Sequence, residues 1–232
     1  MFIHKGSKKA RVLQGYDSSD SGNVREDFTE FFERELTNHQ INYSYQFIND
    51  YELDIRLTSG EASRNAPYER AVFYEDTDDR GFWRYDVNTG RNQTQFSYVK
   101  DTNENIGFDL TAPLNIDGTE IIVKIGSDYT ENNREAEVRS FRFLAEGGPI
   151  PLDGLDNRVD YLFEDKNFDP SRLILIENTA ASSPAGYQGL LESNAAYLSV
   201  DAYLNENFRL TAGVRSESGL QEVNTYDVFK PV

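Results

Sequence analysis

Nine charged side chains, Asp54, Arg56, Asp109, Lys124, Asp128, Asp201, Arg209, Arg215 and Glu217, stand behind alternating apolar residues and so share the polar side of their segments. Groups arranged this way can line a polar passage, guide a solute along it, or pair with a domain seated inside it. The competing reading is a solvated sheet face. No helical pattern elsewhere in the chain offers a layer to cover the apolar side, so lumen lining is the expectation for all nine.

Other residues with chemical potential fall short of a catalytic or metal site. The acidic runs Asp17-Ser18-Ser19-Asp20 and Glu75-Asp76-Thr77-Asp78-Asp79 hold spaced carboxylates, but neither has the complete ligand set of a calcium loop, so they read as solvated and no metal site is expected. The aromatic clusters, Phe82-Trp83 with Tyr85 and Tyr161 with Phe163, can stack on a ligand, form an interfacial girdle or pack a strand end. Trp83, Tyr85, Tyr161 and Phe163 are therefore candidates for ligand contact from loops. His4 and His39 stand alone in polar surroundings and read as solvated. No nucleophile elbow, zinc-binding helix motif or phosphate-binding glycine loop occurs. With 40 acidic residues some pair of carboxylates is expected by chance, so the expectation is a non-enzyme without cofactors.

The elements that would position these groups are hairpins. In residues 105–129, Ile106, Phe108, Leu110, Ala112 and Leu114 alternate with Gly107, Asp109, Thr111 and Pro113. After Asp117-Gly118, residues that tolerate positive φ, Ile121, Val123, Ile125 and Tyr129 continue the apolar face, with Glu120, Lys124 and Asp128 behind. An earlier hairpin sets Ile41, Tyr43, Tyr45 and Phe47 beside Tyr51, Leu53, Ile55 and Leu57 across the turn Asn49-Asp50. A later one sets Ala196, Leu198, Val200, Ala202 and Leu204 beside Phe208, Leu210, Ala212 and Val214 across Asn205-Glu206-Asn207. Residues 10–16 add a short strand. Short turns at 49–50, 115–118 and 205–207 alternate with long insertions expected at 17–35, 60–104 and 130–193. The pattern predicts an all-β antiparallel up-and-down meander spanning residues 1–232, with short connections at one edge and long loops at the other.

Bulk composition agrees. Hydrophobic residues make up 38% and mean hydropathy is -0.65, yet 13% of residues are aromatic, which suits long half-solvated strands. The net charge of -17 repels a phosphate backbone and argues against nucleic-acid binding. The chain has no cysteine, which excludes disulfides and thiolate metal sites. No run of ~18 apolar residues is present, but a spanning strand needs only ~9–11 alternating residues. The start, MFIHKGSKKARV, has no apolar core of a secretory signal.

The segments GFDLTAPL, TEIIVKIGSDYTENNREAEVRSFRF and YLFEDKNF, followed by SNAAYLSVDAYLNENFRLTAGVRSESGLQEVNTY, resemble the late barrel strands of TonB-dependent outer-membrane receptors. The earlier FFERELTNHQINYSYQFINDYELDIRL is similar in style. The resemblance implies part of a transmembrane β-barrel with short periplasmic turns and long extracellular loops, located in the outer membrane of a Gram-negative bacterium. It further implies uptake of a bulky nutrient such as a siderophore or carbohydrate. The implied partners are a plug domain, the remaining barrel strands, the TonB complex, outer-membrane lipid and the nutrient. Because such barrels have ~22 strands, about seven spanning strands would make about a third of one. The rival expectation is a soluble β-sandwich binding module for carbohydrate.

Overall fold

A computed structural model describes residues 1–18, 22–47, 50–76, 83–85, 92–145, 159, 164–170, 173–179, 184–205 and 207–230. The described residues form one antiparallel sheet of nine strands: β1 Phe2–Asp17, β2 Gly22–Gln46, β3 Glu52–Asp76, β4 Arg84–Tyr85, β5 Gln93–Ile116, β6 Thr119–Ala145, β7 Leu173–Glu177, β8 Gly186–Asn205 and β9 Phe208–Tyr226. Seven of them run in the order β1-β2-β3-β5-β6-β8-β9; β4 pairs with β3 and β7 with β6. The path does not close, since β1 and β9 are not paired with each other. This is the expected meander. Among the described residues no helix is long and apolar enough to cross a membrane, which leaves strand crossing open.

The strands are much longer than the apolar alternation alone suggests. β2 and β3 have 25 residues each and β6 has 27, against a usual 3–10 in globular proteins. The long insertions expected at 17–35, 60–104 and 130–193 are thereby corrected. Residues 22–35, 60–76, 93–104, 130–145 and 186–193 belong to strands, and the β1–β2 connection spans only residues 18–21. The short strand expected over residues 10–16 likewise belongs to a 16-residue β1. The physical reason is that these extensions carry polar side chains on both faces, most of them partly exposed. Backbone pairing with neighbours on either side satisfies their N–H and C=O groups, so no apolar face is required.

Turn chemistry follows the sequence. Asp117 (φ 52°) and Gly118 (φ 84°) both take left-handed conformations, and Asn115 Oδ1 accepts from Gly118 N at 3.0 Å. Two consecutive positive φ angles match the right-handed twist of the flanking strands. At β2–β3, Phe47 N donates to Tyr51 O at 2.7 Å and Asp50 has φ 62°. At β8–β9, Asn205 Oδ1 accepts from the backbone N–H groups of Asn207 and Phe208.

One irregularity redirects a strand. Between Ala66 and Glu69, β3 carries an extra residue relative to both β5 and β2, and Pro67, which has no N–H to give a ladder, lies in that bulge. The bulge shifts the alternation by one. Arg56 to Arg64 stand on the polar face at even positions, whereas Val72 and Tyr74 stand on the opposite one. There Val72, Tyr74, Tyr85, Phe143 and Leu173 form a small core at the loop end of the sheet, with Trp83 and Val159 packed against it. Apart from this end, among the described residues each strand packs substantially only on its sheet neighbours.

Gly118 gives the first test. A Cβ there meets no atom within 4 Å, so Gly118→Ala isolates the backbone cost of a left-handed residue. It should lower the denaturant stability of the folded chain by about 1 kcal/mol without loss of strand content by circular dichroism.

Candidate functional site

Register places all nine charged candidates on one face. Asp54 is opposite Asp109, Arg56 opposite Gly107, and Gly107 opposite Asp128. Lys124 lies between Thr111 and Ser199, Asp201 opposite Thr211, Arg209 opposite Tyr203, and Arg215 and Glu217 opposite Tyr197 and Ala195. The sequence expectation of a shared polar face matches this geometry.

These groups are linked across strands. Arg56 donates to Asp109 and lies 3.9 Å from Asp128, while Tyr197 Oη donates to the other oxygen of Asp109 at 2.5 Å. Asn105 Nδ2 donates to Asp128 Oδ1 and to Thr130 Oγ1, both at 2.8 Å. One network therefore joins β3, β5, β6 and β8. Nearer the turns, Asp201 accepts both Arg209 nitrogens at 3.0 and 2.8 Å and also the Thr211 hydroxyl. Arg215 pairs with Glu217 at 3.1 Å, and Ser44 donates to Asp54. The arginines of the polar face thus serve neighbouring carboxylates of the same wall.

Sequence reasoning did not find Tyr197, Asn105, Gly107 or Gly126 as parts of this network. The glycines carried a signal, because glycine inside a strand marks close approach. A Cβ at Gly126 would fall on Asp109 Oδ1 and the Tyr197 ring, and one at Gly107 would lie 2.5 Å from Asp128 Oδ2. The two bare backbone positions make room for the network.

Farther from the turns, the polar face is hollowed into a trough of about 580 Å³ with walls from β2, β3, β5, β6, β8 and β9. Asn38, Thr58, Asn103, Asn132 and Gln221 line it. Asn103 Nδ2 donates to Asn132 Oδ1 at 2.5 Å, and Asn38 Oδ1 has no hydrogen-bond partner. Arg134 is held bidentate by Asp101 at 2.6 and 3.0 Å, and this bond raises the guanidinium pKa above its ordinary value.

The other face divides sharply along the strands. Near the turns its rows are Tyr45–Leu53–Leu110–Ile125–Leu198–Val214, Tyr43–Ile55–Phe108–Ser127–Ala196–Ser216 and Ile41–Leu57–Ile106–Tyr129–Asn194–Ser218. None of these positions is charged. Many are open: Ile41 is 62% exposed, Ile106 52% and Val214 66%. The next row begins the charges, with Glu104, Glu131 and Glu192 in register on β5, β6 and β8.

The aromatic candidates fare differently. Tyr85 is 3% exposed and its hydroxyl donates to Phe143 O at 3.1 Å, so it packs a strand end and offers no open ring to a ligand. Trp83 packs against the same core. Tyr161 and Phe163 lie outside the described residues, as do Phe82, Ser19, Asp20 and residues 77–79. Among the described residues no group of His, Cys, Asp or Glu side chains is arranged to hold a metal ion. At the loop end, Arg139 grips Glu177 of β7 with two hydrogen bonds of 3.0 and 2.9 Å and holds that carboxyl below its ordinary pKa.

Compared with known proteins, the chain matches no protein-family model, no curated protein and no solved structure.

The network generates a paired prediction. Gly126→Ala should cost about 1–3 kcal/mol in denaturant unfolding, because the new methyl displaces Asp109 and Tyr197. Gly189→Ala, where a Cβ would meet Glu222 O at 3.8 Å and Arg134 Cβ at 3.9 Å, should change stability much less.

Proposed function

We propose that this chain is part of the wall of an outer-membrane β-barrel of the TonB-dependent receptor type, taking part in the uptake of a bulky nutrient. The observation that carries the reading is the limited height of the uncharged band. On β6 it covers the nine residues 121–129, about 27 Å of strand at ~3.4 Å per residue. At a barrel tilt of ~40° that is just over 20 Å in height, close to the ~25 Å apolar girdle of such barrels. Arg or Lys facing lipid at the midplane costs about 2–4 kcal/mol, with Asp and Glu costing less, and the band contains none of these. The carboxylate row at Glu104, Glu131 and Glu192 then stands at the depth where charge meets headgroups and water.

The opposite face supports the same reading. It is polar, hollowed and internally paired, as the water-filled side of a barrel wall requires. An open sheet cannot remain in lipid with unpaired edges, so the role calls for further strands completing the barrel, and a plug coupled to the TonB complex would supply the gating. No enzymatic role is proposed. The soluble alternative, a β-sandwich, needs a second apolar layer about 10 Å above the band. Among the described residues only the loop-end core lies over this face.

The absence of cysteine makes the test direct. Single cysteines replacing Val123, Leu198, Ser199, Glu135 or Gln188 carry nitroxide labels on the full chain folded in lauryldimethylamine oxide micelles. Labels at 123 and 198 should favour collision with oxygen, and those at 199, 135 and 188 with a water-soluble nickel chelate. A monodisperse chain in detergent-free buffer with 123 and 198 shielded would instead identify a soluble module.

A further inference from the structure

We infer that the trough on the polar face binds a neutral, polyhydroxylated solute of the oligosaccharide class and discriminates against anionic ones. As the substrate class of the proposed transporter, this rests on that reading; as a binding property of the sheet, it stands on the trough alone. The volume of about 580 Å³ falls within the ~300–1,000 Å³ of small-molecule sites.

Its chemistry is that of amides. Asn38, Asn103, Asn132 and Gln221 each carry a carbonyl acceptor and an N–H donor, and Thr58 adds a hydroxyl. Sugar hydroxyls likewise donate and accept, so such a lining complements them at each contact. The Asn103–Asn132 bond uses one donor and one acceptor of that pair, which leaves Asn103 Oδ1 and both hydrogens of the Asn132 amide to complement a solute. Asn38 Oδ1 is without a partner and gains one if its amide turns toward a solute. Leu36, Leu191 and Val223 between the amides give apolar surface for the C–H faces of a sugar ring.

An anion finds no site there. Arg134 is the only cation among the lining residues, and both oxygens of Asp101 occupy it. Glu61 and Glu222 adjoin the trough only through backbone, since register sets their side chains on the opposite face; the chain's net charge of -17 gives the overall field that opposes a carboxylated or phosphorylated solute. The lining holds no aromatic ring, which removes the stacking that tightens sugar binding and makes weak, hydrogen-bond-driven affinity the expected regime.

Calorimetric titration of the full chain in lauryldimethylamine oxide, a sugar-free detergent, tests this with three probes: maltohexaose, cellohexaose and a hexameric oligogalacturonate. At least one neutral hexasaccharide should bind saturably and the galacturonate should not. The double variant Asn103→Leu/Asn132→Leu should weaken that binding about tenfold or more, the scale of one or two lost hydrogen bonds. Should the leucines disturb the strands by circular dichroism, Asn132→Asp keeps the side-chain size while replacing donor by charge, and should weaken binding similarly. Galacturonate binding as tightly as the neutral probes, no saturable binding of either neutral probe, or unchanged affinity in the folded variants would each overturn the inference. Nitroxide accessibility on the same samples separates the two ideas. Lipid-facing labels without sugar binding sink the substrate class alone, and sugar binding with shielded labels sinks the barrel alone.

Discussion

Register is the constraint on which everything else depends. Side chains alternate with period two, so a slip of one residue between two strands would send charged side chains into the apolar band and its leucines into the polar network. Across six strands, β2 to β9, the pairing keeps the two sets apart without exception in the turn-proximal half. Three short turns anchor that register: the left-handed Asp117-Gly118 pair, the Phe47–Tyr51 closure and the Asn205 cap. The pairing persists into segments whose outer face bears charge, where apolar packing no longer selects it.

In that half, the polar network adds a second lock on register. Arg56, Asp109, Asp128, Tyr197 and Asn105 meet only if β3, β5, β6 and β8 hold their present alignment, and the space they occupy exists because Gly107 and Gly126 have no side chains. Surface ion pairs singly contribute little, about 0–1 kcal/mol. A network of partly buried groups shared by four strands is a stronger determinant of which alignment is adopted than of how stable the sheet is. Because its cations are taken up within the wall, the trough beyond it is left with amides as its main uncommitted chemistry.

The three hairpins and their two faces were legible because one face of each is apolar and the other is not, which is what period-two reading detects. The reach of the strands was not. Residues 22–35, 60–76 and 130–145 carry polar groups on both faces, so the sequence there has the look of loop, and Pro67 strengthens that look while in fact sitting in a bulge. The network was legible only in part. The charged members appeared as a face, but the Tyr197–Asp109 bond joins residues 88 apart in sequence, and nothing local signals it. Tyr85 was legible only as far as its three open roles, ligand contact, girdle or strand-end packing; the strand shift after Pro67, which brings Val72 and Tyr74 over to bury it, has no local signal that would choose among them.

Among the described residues an uncharged band, bounded by carboxylates, is joined to a hollow polar face held by its own charges, and the proposed barrel wall is a reading that would account for both. The claim at its centre is that the band meets lipid chains. Photo-crosslinking tests it most directly, with p-benzoylphenylalanine placed on one strand at position 200, inside the band, and at position 192, in the carboxylate row, of the chain reconstituted in lipid vesicles. A lipid adduct at 200 and none at 192 is the predicted result. Crosslinks from 200 to protein, with no lipid adduct at either position, would contradict it.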